Sequence, residues 1–186
     1  MAESKNNVVT HGLSGKVGDI LVFRKHGDKT IVASAPSKRT GEPTEKQKKQ
    51  QERFQEATLY GQTALSDPTM KAEYKAAAQT GQTAFNVAVA DYFNAPDIKD
   101  VDVSLYTGKV GDLITIKATD DFRVASVSVA IYNEDGSEVE HGVAVQKNKL
   151  EWVYTATTDN ASLNGDKIVI TASDLPGNVT EKEETL

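Results

Sequence analysis

The 186-residue chain contains no cysteine, which excludes disulfides, thiol catalysis and cysteine-ligated zinc. Aromatic residues make up 6% of it, with Trp152 as the single tryptophan, so any core is modest. No apolar run approaches the ~20 residues of a membrane helix. The start, Met1-Ala2-Glu3-Ser4-Lys5-Asn6-Asn7, lacks the apolar stretch of a signal peptide. Cytoplasmic synthesis is the expectation, with a virion or an extracellular assembly as a later destination. Histidine is scarce: His11, His26 and His141 have no ligand spacing. Gly12-Leu13-Ser14-Gly15-Lys16 misses the spacing of a phosphate loop, and Val17 stands where a magnesium-binding hydroxyl would be. Ser14 has no nucleophile-elbow context. With no paired acid and base in evidence, a non-enzymatic role is expected.

Charge is present but uneven. Residues 1–53 hold 11 Lys/Arg and 6 Asp/Glu, a net +5, and residues 54–186 hold 10 and 21, a net −11. Three readings remain open: a solvated lysine face, docking of basic on acidic surfaces between copies, or nucleic-acid contact. The basic cluster is Lys38, Arg39, Lys46, Lys48, Lys49 and Arg53. Phosphates need such charge, but Glu42, Glu45 and Glu52 dilute it and no aromatics interleave it. Nucleic acid is therefore the weaker reading, and the chain itself is the expected partner.

The pattern divides near Asn94-Ala95-Pro96-Asp97, because Pro96 disfavours helix at Ala95. Residues 1–96 read as a basic β-arm and a helical hairpin, and residues 97–186 as a β-domain. In the arm, Ile20-Leu21-Val22-Phe23 and Thr30-Ile31-Val32-Ala33-Ser34 flank the turn His26-Gly27-Asp28. The polar residues 1–14 are expected to fray. A two-stranded hairpin is marginal in water, so Ile20, Val22, Phe23, Ile31 and Val32 are the candidates for self-association. Thr44 and Gln47 have capping-box spacing. The helix that follows should bury Phe54 and Ala57, with Gly61 weakening its end. Asp67-Pro68 starts a second helix. Thr83 to Phe93 reads as a third, with Phe85, Val89, Tyr92 and Phe93 on one side.

Beyond 97, six strands are expected at 100–106, 112–118, 124–132, 138–146, 150–156 and 167–173. Val127, Val129 and Ile131 alternate onto one face, and Glu134-Asp135-Gly136 and Asn164-Gly165-Asp166 mark turns. Short strands with frequent turns over this length fit an immunoglobulin-like sandwich. The expected fold class is thus α+β. Trp152 is expected to anchor the core, with a surface sugar platform as the alternative. Gly15-Lys16-Val17-Gly18-Asp19 recurs as Gly108-Lys109-Val110-Gly111-Asp112. Both copies read as a glycine turn feeding a strand.

Asp120-Asp121-Phe122-Arg123-Val124-Ala125-Ser126-Val127-Ser128-Val129, then Asp135-Gly136 and the ending Ala172, Asp174, Gly177 and Asn178, resemble bacterial immunoglobulin-like domains. That resemblance implies a spacer, an adhesin or a virion decoration. Gly12-Leu13-Ser14-Gly15-Lys16-Val17-Gly18, Arg24, Gly27, Lys29, Pro36, Thr44, Gln47, Arg53 and Phe54 resemble an uncharacterised family of Bacteroidota, which implies a bacterial or phage origin and no assigned activity. Asp120, Asp121, Asp174 and Asn178 could gather at one end of a sandwich as oxygen ligands for calcium, or make turns and Asx caps. The expected role is a structural subunit of a virion, tube or filament, self-associating through its arm. A surface-binding or adhesion module is the alternative.

Overall fold

The computed structural model describes residues 2–4, 9–10, 12–27, 29–37 and 41–186. Their fold is α+β, with three helices and three four-stranded antiparallel sheets. Two compact units form, Met1–Phe54 with Ala78–Thr83, and Gln55–Ala77 with Ala84–Leu186. No helix among the described residues is long and apolar enough to cross a membrane.

The first unit is built on strands β1 (Ala2–Ser4), β2 (Gly15–Val17), β3 (Leu21–His26) and β4 (Lys29–Ser34), in the order β1-β4-β3-β2. Two of these differ from the expected two-stranded hairpin. Ala2–Ser4 does not fray but pairs with Thr30–Val32, and Gly15–Val17 pairs with Leu21–Phe23. Each added strand satisfies backbone donors and acceptors that a bare hairpin leaves to water. Gly27 turns β3 into β4 with φ +60°. Asp28 of that turn lies outside the described residues. Ile20 sits in the turn before β3, its carbonyl accepting from Ala35 N at 2.8 Å. Within β2, β3 and β4 only Thr30 is buried.

Helix α1 (Glu45–Ala64) starts on the expected capping box: Gln47 N donates to Thr44 Oγ1 at 3.3 Å and Thr44 N to Gln47 Oε1 at 3.0 Å. Its buried positions are Ala57 and Gly61, and Phe54 is 55% exposed, against expectation. Gly61 does not end the helix. A Cβ there would lie 3.0 Å from the Phe85 ring and 3.2 Å from Val89 Cγ2, so the missing side chain is what lets α3 close on α1. Helix α2 (Pro68–Ala77) is capped by Asp67, whose Oδ1 accepts from Thr69 N and Met70 N. Helix α3 (Ala84–Phe93) buries Ala88 and Asp91 and stops before Pro96.

The rest of the second unit is sandwich-like. One sheet has the order β5-β6-β10-β9: β5 (Asp97–Asp102), β6 (Leu113–Thr119), β9 (Val145–Gln146) and β10 (Glu151–Thr155). The other has the order β12-β11-β7-β8: β7 (Val124–Tyr132), β8 (Glu138–Val143), β11 (Lys167–Asp174) and β12 (Val179–Thr185). Alternation sends Ile114, Ile116 and Ala118 of β6, Val127, Val129 and Ile131 of β7, and Ile168, Ile170 and Ala172 of β11 into one core with Trp152 and Tyr154. Each such Val or Ile contributes about 1.5–3 kcal/mol. Trp152 is 5% exposed. Three features differ from the expected strands. The first, β5, runs over Asp97–Asp102 against the expected 100–106. The span 138–146 is broken at Ala144, whose N donates to Val127 O, and a terminal strand, β12, pairs with β11 along its whole length.

The glycine echo is partly structural. Gly18 and Gly111 both take positive φ in the turns ahead of β3 and β6. Only the second copy is packed: a Cβ on Gly108 would lie 2.4 Å from Asn160 O, and no other residue fits that approach. Pro96 falls inside the second unit, where its carbonyl accepts from Thr180 Oγ1 at 2.5 Å.

Candidate functional site

Two core-facing strand stripes end in aspartate at the same end of the sandwich. On β6 the buried positions Ile114, Ile116 and Ala118 are followed at the same parity by half-buried Asp120; on β11, Ile168, Ile170 and Ala172 are followed by Asp174, 4% exposed. The register of β11 shifts between Ser173 and Asp174. From above, α3 adds Asp91, three residues after buried Ala88 and itself 1% exposed. One carboxylate oxygen from each of Asp91, Asp120 and Asp174 lies within 4.8 Å of the others.

Each carboxylate is held from behind. Tyr74 of α2 donates its hydroxyl to Asp91 Oδ2 at 2.6 Å, and the Tyr60 hydroxyl of α1 lies 2.8 Å from that of Tyr74. Phe122 stacks on Tyr74 with ring centroids 4.1 Å apart. Asp120 Oδ2 accepts from Phe122 N and Arg123 N, closing the turn into β7. Asp174 Oδ1 accepts from Gly177 N and Asn178 N, and its Oδ2 from Asn178 Nδ2. Two buried oxygens, Asp91 Oδ1 and Asp120 Oδ1, accept nothing from the described residues. Burial pushes Asp91 up to about 7, opposed by the Tyr74 hydrogen bond and reinforced by the charges of Asp120 and Asp174. Burial, then the bond to Asp91, pushes Tyr74 well above the usual tyrosine range.

The structure brings Asp120 and Asp174 of the sequence candidates together and separates Asp121, which is exposed and accepts from Asn94 Nδ2 at 2.5 Å. Asn178 is near the cluster as a donor. Besides Asp174 its amide meets the carbonyls of Asp91, Tyr92 and Asn94, fixing the end of α3. Asp91 had no place in the sequence reading. Its signal is an acid on an apolar helical stripe, at i+3 from Ala88 and i+7 from Ala84. Beside the cluster, Asp120 lines an open pocket of about 560 Å³ with Glu73, Phe122, Arg123 and Lys149. Arg123 Nη1 lies 3.2 Å from Glu73 Oε2.

The second candidate surface is the sheet of the first unit. Strand register puts Val17, Leu21, Phe23 and Val32 on one face, and Lys16, Val22, Arg24, Ile31 and Ala33 on the other. Val22, Phe23, Ile31 and Val32 are half-buried, and Ile20 is 75% exposed. Lys46, Lys48, Lys49 and Arg53 are exposed along α1, with Lys48 Nζ 2.9 Å from Glu45. Lys38 and Arg39 lie outside the described residues, as does His11.

No family model matches the chain, and no curated protein matches it. Among solved structures, a crystallised engineered protein is similar over 57% of this chain and 29% of its own length, at 15% identity and a TM-score of 0.36.

Proposed function

We propose that this chain is a structural subunit of a bacterial or phage assembly such as a virion, tube or filament, in which copies associate through the amino-terminal sheet. The observation that carries this reading is a four-stranded sheet in whose strands β2, β3 and β4 Thr30 alone is buried. Four strands need an apolar face covered to be stable, and here Val17 and Leu21 are 59% and 36% exposed beside Phe23 and Val32. The occupant we assign is a second copy. The first 53 residues carry +5 and the remainder −11, so unlike ends of two copies attract and orient each other.

The sandwich supports the same reading. We read its orders β5-β6-β10-β9 and β12-β11-β7-β8 as the A-B-E-D and G-F-C arrangement of an immunoglobulin-like domain with one added strand. A domain of that kind serves as a spacer or a displayed module. The resemblance of the amino-terminal half to a Bacteroidota family fits the same bacterial or phage setting.

Size-exclusion chromatography with light scattering tests the proposal. The full chain should run as an oligomer that weakens only partly with salt, because apolar contacts persist after screening. Deleting residues 1–36 should leave a monomer. A full chain that is monomeric at high concentration and low salt would overturn the proposal and put a surface-binding or adhesion module in its place.

A further inference from the structure

We infer that Asp91, Asp120 and Asp174 form a calcium site that ties α3 to the end of the sandwich. The inference is independent of the assembly reading. It rests first on Asp91, whose side chain is 1% exposed and whose Oδ1 accepts no hydrogen bond from the described residues; Asp120 Oδ1 is in the same position. A buried acceptor left unsatisfied is costly, and more so when charged. Two such oxygens in one cluster of three carboxylates call for a positive charge among them.

A shared proton could bridge Asp91 and Asp120, but it joins only two groups and leaves beside them the charge of Asp174, whose carboxylate accepts three hydrogen bonds. A divalent ion reaches all three. The outward oxygens support this division of labour. Tyr74, the backbone amides of Phe122 and Arg123, and the amides of Gly177 and Asn178 hold the three carboxylates in place from behind, as partners behind metal ligands do. The first two carboxylates are thus each fixed by one oxygen, which leaves Asp91 Oδ1 and Asp120 Oδ1 without a hydrogen bond among the described residues.

The donor set selects the ion. It is all oxygen, which suits hard cations. Ca²⁺ forms bonds of about 2.3–2.6 Å in flexible geometry, so one ion spans oxygens up to about 5 Å apart. The three carboxylate oxygens lie within 4.8 Å of one another, inside that span. Mg²⁺ demands near-octahedral geometry at about 2.0–2.1 Å and gives up its water reluctantly, so an all-carboxylate set of this kind suits Ca²⁺ better. Asp120 in the wall of the neighbouring pocket gives the ion a way in and leaves room for water among its ligands.

The test uses the full chain, stripped with a chelator and titrated with CaCl₂, MgCl₂ or TbCl₃. Thermal unfolding and terbium luminescence are read together, since Tyr74, hydrogen-bonded to Asp91, is placed to sensitise a bound lanthanide. Calcium should raise the melting temperature in a saturable way, at concentrations at least tenfold below those of magnesium, and terbium should luminesce under tyrosine excitation. Asp91→Asn and Asp120→Asn should each remove both responses. Asp121→Asn, which alters an exposed neighbour outside the cluster, should keep them. Far-ultraviolet circular dichroism of each variant establishes that it is folded. No response up to about 5 mM calcium, above the weakest range of extracellular calcium modules, would overturn the site. So would a response that survives both cluster variants, one that disappears in Asp121→Asn, or equal potency of magnesium.

Discussion

Trp152 offers a quantitative test of the sandwich core. It sits on β10 opposite Ile116 on one side and Gln146 on the other, and is 5% exposed. A buried tryptophan covers about 150–250 Å², which at about 25 cal/mol per Å² amounts to about 4–6 kcal/mol; truncations of this kind cost about 3–5 kcal/mol. One term works the other way. Trp152 Nε1 is buried and donates to nothing among the described residues, and an unmade hydrogen bond costs about 1–3 kcal/mol. Trp152→Ala removes both, so its net cost should fall near about 3 kcal/mol. Trp152→Phe removes the idle donor while keeping most of the ring, and should stay within about 1 kcal/mol of the parent. Urea unfolding followed by far-ultraviolet circular dichroism measures both, because it does not depend on the fluorophore being removed. With a slope of about 1–3 kcal/mol/M, the alanine variant should shift the midpoint by about 1–3 M and the phenylalanine variant by a fraction of that. A near-neutral alanine variant would refute Trp152 as a core anchor and favour the sugar-platform alternative. A phenylalanine variant as damaging as alanine would refute the idle-donor argument.

Asp112 supplies a pH test. Its Oδ2 accepts from Lys109 N, Thr107 N and Thr107 Oγ1, and these bonds hold its carboxyl below the usual range. Because the folded value is the lower one, the stability it adds is present above the ordinary carboxylate pKa and is lost as pH falls through the folded value. The gap in stability between the parent and Asp112→Asn should therefore narrow below about pH 4 in urea unfolding; a gap constant down to acid would count against it. Residues 97–186 expressed alone should melt cooperatively with a β-rich spectrum, since the core from Ile98 to Ala172 lies wholly within them. They should melt below residues 55–186, having lost Tyr74 against Phe122 and the helix carbonyls that Asn178 binds. A disordered fragment would show that the sandwich depends on the helices.

What could be read from the sequence follows the physics of each element. Thr44 with Gln47 and Asp67 with Pro68 marked two helix starts because capping is local chemistry. The sandwich strands came through where alternation was apolar, as in Val127, Val129 and Ile131. β12 escaped because Glu181, Lys182, Glu183 and Glu184 carry no such signal; its pairing with β11 makes it a strand. Phe54 misled for a related reason: the helical stripe it belongs to is buried only from Ala57 onward. In the aspartate cluster, Asp120 and Asp174 were legible from motif and turn position, whereas Asp91 required knowing that α3 lies over that end. Asp121 and Asn178 share the same loops, but Asp121 turns to Asn94 and Asn178 meets Asp174 as a donor.

If copies associate as proposed, the charged character of β12 limits how they can meet. It is the outer strand of its sheet. A two-fold antiparallel pairing of this edge with its own copy, centred on Lys182, would set Lys182 against Lys182 and Glu181 against Glu183 twice over, and like charges directly opposed destabilise a sheet. The same row of side chains attracts a basic strand instead, and the amino-terminal sheet carries Lys16, Arg24 and Lys25. Contacts between unlike surfaces run head to tail, and such contacts propagate into rings or open helical arrays rather than closing as a dimer.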